Sequence, residues 1–154
     1  IVQGENWARN QRKELLTEVF VRQLHKQMFG ETWKWAGEFR KSDKNIGVDW
    51  LTIAVELKKL LDDADYQVEH VSYPLDEIAV RFHHRLVAIH PFPNGNGRHA
   101  RLMADLLVQR LGCPRFTWGS RSLIDTSHTR QLYIAALQAA DASDIAPLLT
   151  FARC

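Results

Sequence analysis

The residues with the greatest chemical capacity in this 154-residue chain are crowded into positions 90–101, His-Pro-Phe-Pro-Asn-Gly-Asn-Gly-Arg-His-Ala-Arg. His90 has an ordinary pKa near neutrality and can take a proton from an incoming hydroxyl. Arg98 and Arg101, three apart on a helix, face one side, and each can fork onto phosphate oxygens. Gly95 and Gly97 remove side chains where a backbone must bend sharply or approach a ligand. Together these residues describe a site that handles phosphate beside a proton acceptor.

Two helices must position them. Leu75, Ile78, Ala79, Phe82, Leu86 and Ile89 fall at helical spacing and lead into the loop. Pro91 and Pro93 then force extended or turn backbone, so that helix stops near His90. A second helix runs from about residue 96 to 111, and its first amides have no intrahelical acceptor. The helix dipole adds partial positive charge at that end, where an anion is the natural guest. Each part alone has an ordinary explanation as a cap, a turn or a solvated face. Their concentration in one short stretch favours a site.

The stretch closely resembles the signature of the Fic family, His-x-Phe-x-Asp/Glu-Gly-Asn-Gly-Arg-x-x-Arg. It matches at His90, Phe92, Gly95, Asn96, Gly97, Arg98 and Arg101. Members typically transfer AMP from ATP to a hydroxyl side chain of a target protein. The resemblance implies that His90 is the general base and that Gly95, Asn96 and Gly97 form the anion hole. By the same resemblance Arg98 and Arg101 hold the outer phosphates and Phe92 anchors the loop. One position departs: Asn94 stands where the family has an acidic residue for Mg²⁺. A neutral amide oxygen ligates without contributing charge, so metal binding would lean on the nucleotide.

Composition sets the frame. With 45% apolar and 25% charged residues, the chain reads as one ordinary globular domain over residues 1–154. Twenty basic residues against 18 acidic ones make it mildly basic, too weakly to argue for a nucleic-acid platform. Two cysteines, Cys113 and Cys154, form neither a disulfide framework nor a metal pattern and suggest a reducing compartment, hence the cytoplasm. No apolar run is long enough to span a membrane, and no signal peptide is visible.

In chain order, residues 1–13 read as a polar, weakly amphipathic helix, placed where a regulatory helix would lie. Thr17 caps a helix carrying Val19, Phe20, Leu24 and Met28, with Gly30 as its stop. Family members carry a regulatory helix, in cis or from a partner, reading Ser/Thr-x-x-x-Glu-Gly/Asn. Glu5 and Asn6 fit its end, while Ile1 does not fit its start. The expectation is that Glu5 pairs with Arg101 and restrains activity. Residues 38–50 read as a small β-hairpin turning at 42–45, which resembles the family's target-docking flap after Gly37-x-Phe39-Arg40. Its tip, Lys44, Asn45, Ile46 and Gly47, would meet an extended target strand.

An amphipathic helix follows over about 51–65, with Ile53, Leu57, Leu60 and Leu61 inward, then a linker over 66–73 that Pro74 ends. His83 and His84 point about 100° apart on their helix, which argues against a shared zinc ion; one of them is expected to buttress the loop. The helix after the signature is apolar nearly all round and belongs at the centre. Gly112 closes it. Over 115–122, Phe116 and Trp118 either line an adenine pocket or plug the core, and core is preferred. Ser127 caps the next helix and Asp144 starts the last.

These readings give an all-α domain of about six to eight helices with one hairpin beside the signature loop. The function they imply is protein adenylyl transfer with ATP and Mg²⁺ as nucleotide and metal, a protein as target, and inhibition in cis or by a partner. Two alternatives stand beside it. One is a related phosphotransfer, such as removal of AMP or transfer of another nucleotidyl or phosphoryl group. The other is a non-catalytic nucleotide-responsive module, such as half of a toxin–antitoxin pair.

Overall fold

The computed structural model describes residues 2–121 and 125–154. Seven helices occupy them: α1 (Val2–Arg9), α2 (Glu18–Phe29), α3 (Ile53–His70, after a single 3₁₀ turn at Trp50–Thr52), α4 (Leu75–Ile89), α5 (Asn96–Arg110), α6 (Thr126–Asp141) and α7 (Ala146–Arg153). The expected all-α architecture is therefore present. Among the described residues no helix is long and apolar enough to cross a membrane.

The centre is α5, whose Leu102, Met103, Ala104, Leu106, Leu107 and Val108 are all buried. It packs chiefly on α4, which in turn packs on α3, while α1 lies on α2 and α6 on α7. Phe20, Leu24, Ile78, Phe82 and Leu86 close the interior around it. Each such side chain contributes about 1.5–3 kcal/mol through burial, so α5 is a stiff mounting for the arginines at its start. One carboxylate is buried on this helix. Asp105 accepts from Trp118 Nε1 (2.9 Å), Phe116 N (3.3 Å) and Arg115 Nη2 (3.1 Å), tying the 115–118 loop beneath α5. That loop places Phe116 in the core, as the apolar pattern predicts.

The helix punctuation is mostly local. Thr17 Oγ1 accepts from Phe20 N at 3.1 Å, and α4 follows directly on Pro74. Three boundaries differ from the sequence reading. Helix α1 ends at Arg9 rather than running to residue 13. Helix α3 continues through most of the expected 66–73 linker, because nothing breaks it before Val71 turns left-handed (φ 47°). Tyr66 and His70, one turn apart, pack with ring centroids 4.1 Å apart and planes tilted by 41° along that extension. The cap of α6 is Asp125, whose Oδ1 accepts from His128 N at 2.8 Å, and Ser127 lies within the first turn. The end of the expected 115–122 loop and Ile1 lie outside the described residues.

The predicted hairpin over 38–50 is not a pair of strands; the segment is bends and irregular backbone leading into the 3₁₀ turn at Trp50. One side chain takes the place of the ladder. Arg40 is 2% exposed, and its guanidinium donates to Ser42 O (3.0 Å), Val48 O, Ile89 O (3.2 Å) and His90 O (2.6 Å). The backbone bonds of the segment also go across to the end of α4, from Arg40 N to Pro91 O (2.9 Å) and from Val48 N to Ile89 O (3.3 Å). A segment whose hydrogen-bonding groups are satisfied this way has no need of a cross-strand partner.

Candidate active site

His90 closes α4 in the left-handed conformation, φ 54° and ψ 61°, with its N–H still donating to Leu86 O at 3.2 Å. That conformation costs a residue with a Cβ roughly 1–2 kcal/mol and persists only where the surroundings hold it. Here the turn redirects the chain from α4 into the loop. The half-buried imidazole has no hydrogen-bond partner among the described residues. Burial, and then the charges of Arg40 and Lys44, lower its pKa from the ordinary value. The ring is thus neutral at physiological pH, with a lone pair available to a hydroxyl.

The loop is pinned from inside. Asn96, buried at the start of α5, accepts from Phe92 N (3.0 Å) and donates to Phe92 O (2.8 Å), so its amide serves the loop itself. Phe92 is fully buried and stacks on His25 at 3.8 Å between centroids. Gly37 N–H donates to His25 Nδ1 (2.9 Å), which leaves the ring proton on Nε2 to donate to Asn94 O (3.0 Å). Desolvation lowers the pKa of His25 to about 4, which keeps this tautomer neutral. Gly95, at φ 78°, passes under Phe29 and Trp33, where an added Cβ would come within 2.7 and 3.2 Å of the rings.

The resulting helix start is open to an anion. Gly95 is the N-cap of α5 and offers no side chain to its first amides. Arg98 is exposed and lies over the Phe29 ring at 4.8 Å, while half-buried Arg101 lies over Tyr133 at 5.2 Å. Among the described residues neither arginine has a carboxylate partner. The Tyr133 hydroxyl stands 2.9 Å from His83 Nε2, which gives Arg101 a braced platform. Two guanidinium groups without counter-charge beside free amides can hold a polyphosphate.

His90, Gly95, Asn96, Gly97, Arg98 and Arg101 therefore lie around one loop, as their spacing predicts. Lys44, Asn45, Ile46 and Gly47 form an exposed turn, and Gly47 lies directly against His90. Asn94 is exposed, its Oδ1 already accepting from Gly95 N at 2.7 Å. The described residues contain no cluster of His, Cys, Asp and Glu that could hold a metal. Of the 83–84 pair, His83 supports Arg101 through Tyr133, and His84 does not. His83 packs on Trp118 and Tyr133, and His84 bonds Asp141 at 2.7 Å.

The expected Glu5–Arg101 pair is absent. Glu5 faces Arg115 at 3.5 Å and Arg9 at 3.8 Å. The cause lies in how α1 seats on α2. Gly4 lies against Met28 and Trp7 against Phe20, which turns Glu5 toward the Arg115 that Asp105 already holds. Asn6 is exposed, with its carbonyl accepting from Asn10 Nδ2. Sequence reasoning missed His25, Arg40 and Tyr133 as supports of the site. Two of them left traces: His25 shares the inward stripe of α2 with Val21, Leu24 and Met28, and Arg40 ends the Gly37-x-Phe39-Arg40 motif.

Fold and loop together define a class: a helical domain that presents an uncapped helix start and two unpaired arginines next to a neutral histidine. Comparison with known proteins gives the class its family. A model of the Fic/DOC family matches residues 15–108, well over half of the chain, and the chain belongs to that family. It is 32% identical over 120 residues to the protein adenylyltransferase fic-1 of Caenorhabditis briggsae, covering 75% of this chain and 22% of that protein. It is 29% identical over 153 residues to the protein adenylyltransferase Fic of Nematostella vectensis, covering 94% of this chain and 33% of that one. A solved Fic-1 variant from C. elegans superposes with a TM-score of 0.78 at 26% identity, over 99% of this chain and 46% of the other. The chain thus spans between about a fifth and a third of these curated relatives' length.

Proposed function

We propose that this domain transfers AMP from ATP to a hydroxyl side chain of a target protein. The observation that carries the reading is the partnerless, half-buried His90 ring beside an α5 start whose arginines lack counter-charge. The target hydroxyl gives its proton to His90 as its oxygen bonds the α-phosphorus; the bond from that phosphorus to the β-phosphate bridging oxygen breaks, and pyrophosphate leaves. Arg98 and Arg101 hold the outer phosphates, and the first amides of α5 face the charge that builds on the transferred group. The naming of the two curated relatives as protein adenylyltransferases supports the same reading.

Mg²⁺, when bound with the nucleotide, neutralises phosphate charge. Asn94, an exposed residue, would offer it a neutral amide oxygen that Gly95 N–H already shares, so most of the ligation would fall to the phosphates. The exposed turn at Lys44, Asn45, Ile46 and Gly47 receives the target segment. Restraint of activity would act at Arg101, which has no carboxylate partner among the described residues. Glu5 could supply it only by leaving Arg115, whereas an inhibitory partner's carboxylate carries no such cost.

Incubating the purified chain with ATP and Mg²⁺ and reading intact mass tests the proposal. A gain of one AMP that vanishes in His90→Ala is expected. A gain of one phosphate would replace the reading by kinase chemistry. No gain, with or without candidate target proteins and despite ATP binding, would leave a non-catalytic module.

A further inference from the structure

Arg40 stands outside the signature yet has more polar contacts to the turn that presents His90 than any signature residue has. Its guanidinium is buried without a buried carboxylate; Asp43 lies at 3.8 Å and is largely exposed. The charge is instead met by main-chain oxygens: Ile89 and His90 at the end of α4, Ser42 and Val48 in the flap segment. The end of a helix carries the negative pole of its dipole and carbonyls without intrahelical donors. A planar fork with five donors can bridge those carbonyls to a second segment in a way an ammonium cannot.

From this geometry we infer that Arg40 is a positioning residue. It clamps the end of α4 to the 42–48 segment, holds His90 in its left-handed turn, and seats the flap at a fixed distance from the imidazole. The inference rests on the proposed role of His90 as base, but its geometry is independent of it. Gly47 supports it, because a Cβ there would come within 2.7 Å of Arg40 Nη2 and 2.8 Å of His90 Cβ. Flap, arginine and histidine are therefore packed to contact at one point. Among the described residues no hydrogen bond or ion pair joins Arg40 to Arg98, Arg101 or the first amides of α5, so nucleotide binding and proton removal separate. Losing the clamp leaves ATP affinity intact and misplaces the base.

The test uses Arg40→Lys, which keeps the charge without the fork, and Arg40→Gln, which keeps neither. In both, KM for ATP and calorimetric ATP affinity should stay within about twofold of wild type. The transfer rate should fall on the order of 10²-fold, the scale expected for a reacting group displaced by an ångström. NMR titration of His90 supplies a readout that needs no activity: its midpoint should rise in Arg40→Gln. Should either variant fail to fold, hydrogen exchange in the wild-type chain still decides. The Arg40 Nε–H and the Val48 amide should be strongly protected. An Arg40 side chain exchanging like an exposed arginine, or a folded Arg40→Gln with unchanged His90 midpoint and rate, would overturn the inference. A wild-type chain that transfers nothing, with the His90 midpoint still shifting in Arg40→Gln, would sink the proposed activity and leave the clamp standing.

Discussion

Gly47 rests on His90, so close that a Cβ on the glycine would stand 2.8 Å from the histidine's own Cβ. The contact joins an exposed turn to the residue with the free imidazole, and it exists because Gly47 has φ 99°, open only to glycine at low energy. Gly47→Ala should therefore push the turn away from His90. The turn is exposed, so melting should move by no more than about 1–2 kcal/mol of stability. AMP transfer should fall by at least an order of magnitude, with ATP affinity unchanged. Thermal melts alongside single-turnover transfer assays separate the two effects, and a fully active Gly47→Ala would show the contact to be incidental.

Gly95 and Gly97 look alike in the sequence but face different surroundings. An added Cβ at Gly95 meets Phe29 at 2.7 Å in a left-handed backbone, so Gly95→Ala should destabilise by on the order of 2–4 kcal/mol. At Gly97 the nearest atom is Arg101 Nη1 at 3.5 Å, and the backbone is helical. Gly97→Ala should leave the fold intact, or stabilise it by up to about 1 kcal/mol, while its methyl intrudes where phosphate must sit. Denaturation and ATP titration of the pair should give opposite patterns: one glycine serves the fold, the other the ligand.

That contrast marks how far the sequence could be read. Thr17, Pro74, Gly112 and the apolar spacing of α4 and α5 are local signals, and the helices they delimit are where they predict. The loop was legible for the same reason: its parts are contiguous and two adjacent helices present them, while the His25 and Arg40 contacts that also pin it come from outside that stretch. The hairpin was not, because turn residues and flanking apolar residues fit a ladder equally well when Arg40, from within the segment, takes over its hydrogen bonds. Asp125 was passed over for Ser127 because either can cap, and only backbone geometry chooses. The partner of Glu5 is not legible, because it is set by how α1 seats on α2, through Gly4 and Trp7, and no spacing encodes that. His25 and Tyr133 reach the site across the core, from helices that the chain order places far from the loop.

Acid should undo the fold through its histidines. Burial lowers the pKa of His25 to about 4 and those of His83 and His99 to about 3, against 6.5 when unfolded. Between these values the unfolded chain binds protons that the folded one refuses, so their stabilising contribution is complete above about pH 6.5 and is lost as pH falls. Each costs about 1.4 kcal/mol per pH unit below that point. Unfolding followed by tryptophan fluorescence should show a steep decline from pH 6 to 4. His25→Asn, which retains a donor and an acceptor without the titration, should flatten the slope by about one third. An unchanged slope would mean that other groups govern acid unfolding.

The proton acceptor itself titrates in the opposite sense to a caged acid. Because burial and the charges of Arg40 and Lys44 depress the pKa of His90, its base form is populated below the ordinary histidine range. Transfer should rise with pH through a midpoint below about 6.5 and stay level across neutrality. Lys44 is exposed at the flap tip, so Lys44→Gln removes one of the two depressing charges without disturbing the clamp. Its profile should shift to higher pH at low ionic strength, and the shift should shrink in salt as the exposed charge is screened. Rate profiles in low and high salt check this, and a midpoint at or above the free-histidine value would show that His90 is not the group whose ionisation limits the reaction.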